Sequence, residues 1–182
     1  MSIPTKNWTA IPEMTTGAGV PAGGYVARIT DVVDIAQKEY LDIVYDIAEG
    51  EYANHYSDDW GKQHPYAHKF VRSYKESATG MFSSFLHRLE DSNRNFRIAE
   101  WQAGGEDKHL DFIGKEIGLV LQKEQYTSNM DGSDKERIVV VNVISSQDVR
   151  DGNYTVPDPK DKRLKKEQDT SMVTDITNDI PF

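Results

Sequence analysis

His68-Lys69-Phe70-Val71-Arg72-Ser73-Tyr74-Lys75 divides residue by residue into two sets, with His68, Phe70, Arg72 and Tyr74 on one side and Lys69, Val71, Ser73 and Lys75 on the other. An extended chain projects successive side chains to opposite faces, so this stretch predicts a β-strand. Directly after it the period changes. Ala78, Met81, Phe82, Phe85, Leu86 and Leu89 fall three and four residues apart, the spacing of one face of an amphipathic helix, with Ser77 placed to cap its start and Ser92-Asn93 at its end. A strand that runs straight into a helix fixes the frame in which the rest of the chain is read.

Upstream, Tyr25 to Val33 is rich in β-branched residues and gives way to a polar turn from Asp34 to Glu39. Leu41, Ile43, Tyr45 and Ile47 then alternate with Asp42, Val44, Asp46 and Ala48, which predicts a β-hairpin whose second strand is buried on one face and solvated on the other. Tyr52 to Ala67 is polar but dense in aromatic rings and histidine, and reads as a long functional loop. Downstream, Ile98 to Trp101 reads as a short strand, and Ile117 to Glu124 and Arg137 to Ile144 as two longer ones joined through the turn signal Asn129-Met130-Asp131-Gly132. Ile138 to Val141 is apolar on both faces and predicts a central or sandwiched last strand. The order of two strands, loop, strand, helix and two strands predicts a mainly β OB-fold, a five-stranded Greek-key barrel with one α-helix between strands 3 and 4. Residues 1–23, punctuated by Pro and Gly, read as an N-terminal arm, 24–157 as the domain, and 158–182 as a disordered C-terminal tail with too little apolar surface to pack.

The chain of 182 residues is 37% apolar, enough for one domain with a core, and has no cysteine, which excludes disulfides, a thiol nucleophile and cysteine-ligated zinc. Its opening residues lack the apolar core of an export signal and no stretch approaches a membrane span, so the expected setting is cytoplasmic. The formal net charge is -9, but the acids are concentrated. Asp31 to Asp59 holds nine acidic residues and one basic, whereas Lys62 to Arg97 holds seven basic and three acidic. A basic middle beside aromatic residues is the pattern that binds single-stranded nucleic acid, through stacked bases and neutralised phosphates. Trp60, Tyr66, Phe70 and Tyr74 are the candidate stacking residues, and Lys62, Lys69, Arg72 and Lys75 the candidate phosphate contacts. Strand alternation equally allows Phe70 and Tyr74 to point inward. Lys123, Tyr126 and Lys135 flank the hairpin loop that closes over ligand in an OB-fold, and Arg94 and Arg97 either extend the basic track or cap the helix.

The last four residues, Asp179-Ile180-Pro181-Phe182, have the parts of a short peptide ligand. Phe182 offers apolar surface and a terminal carboxylate, Pro181 restricts the free peptide, and Asp175 and Asp179 favour a basic partner surface. This ending resembles the acidic C-terminal tip of bacterial and phage single-stranded DNA-binding proteins. The stretches Gly23-Gly24-Tyr25-Val26, His68-Lys69-Phe70, Ser73-Tyr74-Lys75-Glu76-Ser77 and Gly114-Lys115 resemble the phage-encoded members of that family from Gram-positive hosts. The resemblance implies a non-enzymatic bacteriophage protein that binds and protects single-stranded DNA during DNA replication and recombination. It also implies that Asp179, Ile180, Pro181 and Phe182 dock helicase, primase or recombinase. A homo-oligomer is compatible with it, and no cofactor or metal is expected. The sequence departs from the bacterial members in lacking their long Gly/Gln/Pro-rich linker and in having a sparsely acidic tail. Two alternatives remain open on the residues: a metal-dependent nuclease using Asp42, Asp46, Glu49, Asp58 and Asp59, and an adaptor that binds no DNA. His55, His64 and His68 have only weak spacing for zinc.

Overall fold

The computed structural model describes residues 19–164. Its backbone is a six-stranded, mostly antiparallel sheet with one long helix and several short ones packed around it. Strand β1 (Gly23–Ile35) turns through a 3-10 segment at Ala36–Lys38 into β2 (Tyr40–Ile47), with Glu39 at φ 55° closing the turn in the left-handed region. A short helix α1 (Asp59–Gln63) and a 3-10 turn at Pro65–His68 lead into β3 (Lys69–Ser73). The long helix α2 (Thr79–Ser92) and the short α3 (Ile98–Gln102) precede the hairpin of β4 (Glu116–Thr127) and β5 (Asp134–Ile144). Helix α4 (Ser146–Arg150) and the three-residue strand β6 (Lys160–Lys162) follow.

Hydrogen bonding orders the main strands β3-β2-β1-β4-β5, and β3 and β5, at the two ends of that path, come into contact. β1 makes this possible. Its first half pairs with β4 from Gly23 to Arg28, its second half with β2 from Ala27 to Ile35, and a register shift between Ile29 and Asp31 bends it between the two partners. Tyr45, Ile29, Ile43, Ile117, Leu119 and Leu121 fill the space inside the bend. The apolar stripe of α2 covers it, with Phe85, Leu86 and Leu89 buried and the Phe85 ring edge-on to Phe112 at 5.4 Å. Each such side chain contributes about 1.5–3 kcal/mol on leaving water. Asn93 ends α2 by bonding Leu89 O and both backbone groups of Glu116, which ties the helix end to the start of β4.

Several expectations fail for local reasons. Ile98 to Trp101 is helical, because Ile98 and Trp101, three apart, both pack against the core. Ser77 lies in a 3-10 turn and makes no cap bond to α2. β5 ends the strand path with Val141 40% exposed, and the strand buried on both faces is β4. β2 is likewise buried on both faces toward its end, since Asp46 is only 8% exposed rather than solvated. Val20, read as part of the arm, is in the core.

The chain also stays on the sheet beyond 157. The Tyr154 ring covers Gly24 so closely that a Cβ there would lie 2.2 Å from it. β6 then pairs in parallel with Glu124 to Tyr126 of β4, and Gln122 donates to Asp158 O. Polar groups draw this charged segment in. The Glu124 carboxylate is buried in the sheet and paired with Arg137 and with Lys162, the latter at 2.8 Å. Burial pushes its pKa up, but the bonds from Lys162 and Arg137 outweigh burial and hold it below the ordinary 4.5. Its contribution is therefore complete at neutral pH and is lost as the pH falls through the lowered value. Glu124→Gln is expected to speed amide exchange at Lys160–Lys162 at neutral pH while leaving the β1–β4 ladder protected, as hydrogen exchange resolved by residue will show. Acidification of the wild type through that lowered value should do the same.

Candidate nucleic-acid interface

The segment between β2 and β3 is built inward first. Asp46 accepts from the backbone N–H of Ile47 at 2.8 Å and of Tyr56 at 2.9 Å, which folds the insertion back on the strand it has just left. Tyr56 is thereby buried, its ring edge-on to Tyr45 at 6.2 Å and stacked flat on His68 at 4.3 Å. Burial, with the Asp46 charge adding to it, pushes the Tyr56 phenol up to about 12. Burial drives the Tyr45 phenol higher still. The buried His68 ring lies 2.5 Å from Tyr45 O through Nδ1 and 2.9 Å from Gly61 O through Nε2. Gly61 is required where it stands, since a Cβ would lie 2.1 Å from Tyr56 O. Asp58 caps α1 by accepting from Gly61 N at 2.8 Å.

What faces outward on this support is a row of rings. Trp60, 51% exposed, stacks on His64 with centroids 4.5 Å apart and planes 13° from parallel. His64 Nδ1 donates to Trp60 O at 2.7 Å, and its ring meets Tyr66, 69% exposed, edge-on at 5.6 Å. Lys62 is exposed on α1 beside Trp60, and Lys69, which opens β3, is exposed but holds Asp42 at 2.7 Å. A rigid aromatic surface with adjacent ammonium groups can stack bases and neutralise phosphates.

The remaining sequence candidates do not join this row. Phe70 is 6% exposed, packed between Tyr45 and Phe85, so it belongs to the core. Arg72 lies half-buried with its guanidinium 5.0 Å from the centre of that ring, donates to Val71 O, and leaves Nε without a partner. Burial lowers its pKa from the usual arginine range. Tyr74 donates its hydroxyl to Asp34 at 2.7 Å, a bond that pushes the phenol up to about 12, and its ring rests edge-on against Phe82. Lys75 is exposed. In the β4–β5 hairpin, Lys123 pairs with Glu136 at 2.8 Å, Lys135 with Asp131 at 3.4 Å, and Tyr126 sits 4.7 Å under Arg137. Arg97 lines a shallow pocket near Trp101 and Lys115, where Glu100 and Asp111 balance the charge. Asp179, Ile180, Pro181 and Phe182 lie outside the described residues.

Four of the five carboxylates considered for a metal have another partner: Asp42 has Lys69, Asp46 two backbone amides, Glu49 Arg150, and Asp58 the α1 terminus, while Asp59 is exposed on α1. His55 packs edge-on against Tyr56, away from the carbonyls that engage His68. Among the described residues no group of three or more such side chains is gathered, and none of the helices is long and apolar enough to cross a membrane.

No protein-family model matches the sequence, and no curated protein matches it either. The case for a function rests on the residues themselves.

His64 is the platform member that sequence reading undervalued. It was visible as a ring four residues after Trp60, a spacing that stacks once the intervening residues turn helical. The supporting roles of Gly61 and His68 depend on contacts to backbone oxygens, which carry no sequence signature. Phe70→Ala is expected to cost about 3–5 kcal/mol of stability in urea unfolding. Tyr66→Ala should stay within about 0.5 kcal/mol of wild type.

Proposed function

We propose that this chain binds single-stranded DNA without reading its sequence, stacking bases on Trp60, His64 and Tyr66 and meeting phosphates with Lys62 and neighbouring lysines. The exposed ring row on a braced turn carries this reading, because monomeric proteins seldom present two large aromatic side chains and a stacked histidine to solvent on a fixed support. The strand order β3-β2-β1-β4-β5, the contact between β3 and β5, and the helix between β3 and β4 support an OB-fold, whose loops and sheet face commonly hold oligonucleotides. Fold alone does not choose the ligand. The resemblance to phage-encoded single-stranded DNA-binding proteins supports DNA and a cytoplasmic setting in a host cell. On the same reading the segment Asp179-Ile180-Pro181-Phe182 recruits helicase, primase or recombinase, and the protein acts in replication or recombination.

The acidic surface predicts that phosphate contacts are few and stacking dominates. Log affinity for fluorescent oligo-dT should fall with log salt by about 0.7 for each phosphate neutralised, and Lys62→Ala should remove about one such step. Trp60→Ala should weaken binding by roughly 5- to 100-fold, the worth of one stacked base, with the salt slope unchanged. Cleavage of the oligonucleotide that requires magnesium would instead indicate a nuclease, and absence of binding at low salt would leave the adaptor reading. Preference for oligo-U would redirect the proposal to RNA.

Removal of Ile180 to Phe182 is expected to leave oligo-dT affinity within twofold while abolishing pull-down of replication and recombination proteins. Unchanged pull-down would remove the docking role from that segment.

A further inference from the structure

His68 is 4% exposed and both of its ring nitrogens face backbone carbonyls, Nδ1 toward Tyr45 O at 2.5 Å and Nε2 toward Gly61 O at 2.9 Å. A carbonyl oxygen only accepts. A neutral imidazole has one N–H and one lone pair, so it can serve one of these oxygens and must turn its lone pair on the other. Both bonds at once require a proton on each nitrogen. We infer that His68 is a positioning residue for the aromatic row, bridging β2 to α1 as the doubly protonated ring and releasing α1 when it loses a proton. The effect of this bridge on binding rests on the proposed DNA function, whereas the bridge itself does not.

The bridge acts on the row directly. Gly61 follows Trp60 and precedes Lys62, so the oxygen that His68 holds belongs to the turn that carries both. The opposite nitrogen is anchored in β2, beside the fully buried Tyr45 ring, and Tyr56 covers the imidazole face. With one proton gone, a buried lone pair would oppose a carbonyl, an unfavourable contact that is relieved by moving α1 away.

The surroundings leave His68 as the group that changes there. On β2 it faces Tyr45, and in the insertion Tyr56, whose N–H is held by Asp46, with His55 behind that ring. Both phenols are pushed upward by burial and stay protonated through the neutral range. Asp46 is taken up by two backbone N–H groups, those of Ile47 and Tyr56. On α1 the charged groups are Asp59 and Lys62, both exposed, and Asp58 before it is engaged with Gly61 N. β3 begins with Lys69, which is paired to Asp42. β5, which packs on the Pro65–His68 turn, carries charge only from Asp134 to Arg137, at its hairpin end.

The bridge is made at low pH and lost as the pH rises, so wild-type affinity for oligo-dT at fixed ionic strength should fall by about fivefold or more on going from acid to alkaline conditions. His64 is a second imidazole and lies in the row itself, so two substitutions separate them. His64→Phe keeps a stacking ring and should keep the pH dependence, whereas His68→Gln should bind weakly and without it. The reverse pattern would overturn the inference.

A readout without DNA guards against a variant that fails to fold. Two-bond 1H–15N correlation spectra of the wild type with labelled histidine should find both His68 nitrogens protonated while the amides of residues 58–68 are protected from exchange, with protection lost as the ring deprotonates. An unprotonated nitrogen on His68 in the protected state would refute the bridge. A doubly protonated, protected His68 in a protein that binds no oligo-dT at any pH would refute the DNA reading instead and leave the bridge standing.

Discussion

A polar insertion that holds a tryptophan and a tyrosine in water has to be fixed by something other than those rings. Here the fixing contact is the flat stack of Tyr56 on His68, with the imidazole bonded on one side to the core strand and on the other to the turn beneath Trp60. Every outward feature of the segment depends on it. The Asp58 cap and the absence of a Cβ at Gly61 let the turn lie directly on the Tyr56 backbone, and His64 then falls where its ring meets Trp60. Stacking a base on rings already fixed avoids the cost of ordering them at the moment of binding, which is how a small surface of two or three rings gains affinity.

The charge distribution fits this division of labour. Several acids of Asp31 to Asp59 are already engaged by the protein: Asp46 ties down the insertion, Asp42 holds Lys69, Asp34 accepts from Tyr74 and Glu49 holds Arg150. The bases are spent in the same way, with Lys123, Lys135 and Arg137 engaged across or beside the β4–β5 hairpin. A surface with so few uncommitted cations near its exposed rings is suited to contacts led by stacking, with electrostatic attraction in a smaller role.

Much of the architecture was legible because it is written in periods. β-Branched content marked β1, alternation β2 and β3, the three-and-four spacing α2, and Asn129 to Gly132 the last hairpin. Pattern alone did not say which strand lies in the middle. Ile138 to Val141 looks central by composition, yet β5 ends the strand path and it is β4, paired with both β1 and β5, that is buried on both faces, a long-range fact. β6 was invisible for a related reason: Lys160 to Lys162 has nothing apolar to bury, and it is the buried Glu124 on another strand that draws it in. Within the site, Trp60 and Tyr66 were readable as rings on a polar loop. Phe70 and Arg72 occupy the inward-facing set of β3 and Tyr74, just past its end, packs against the core, whereas alternation could divide the two sets without saying which one faced the core.

Stacking on Trp60, His64 and Tyr66 requires the DNA to lie across the insertion. Titrating oligo-dT into protein labelled with 15N at tryptophan indoles tests this most directly, because a stacked base shifts the resonances of the ring it covers. The Trp60 indole signal is expected to move with a titration midpoint equal to that of binding, while the Trp101 signal, its N–H bonded to Lys108 O inside the domain, stays in place. Binding that leaves Trp60 unmoved would show that single-stranded DNA lies elsewhere and would contradict the account.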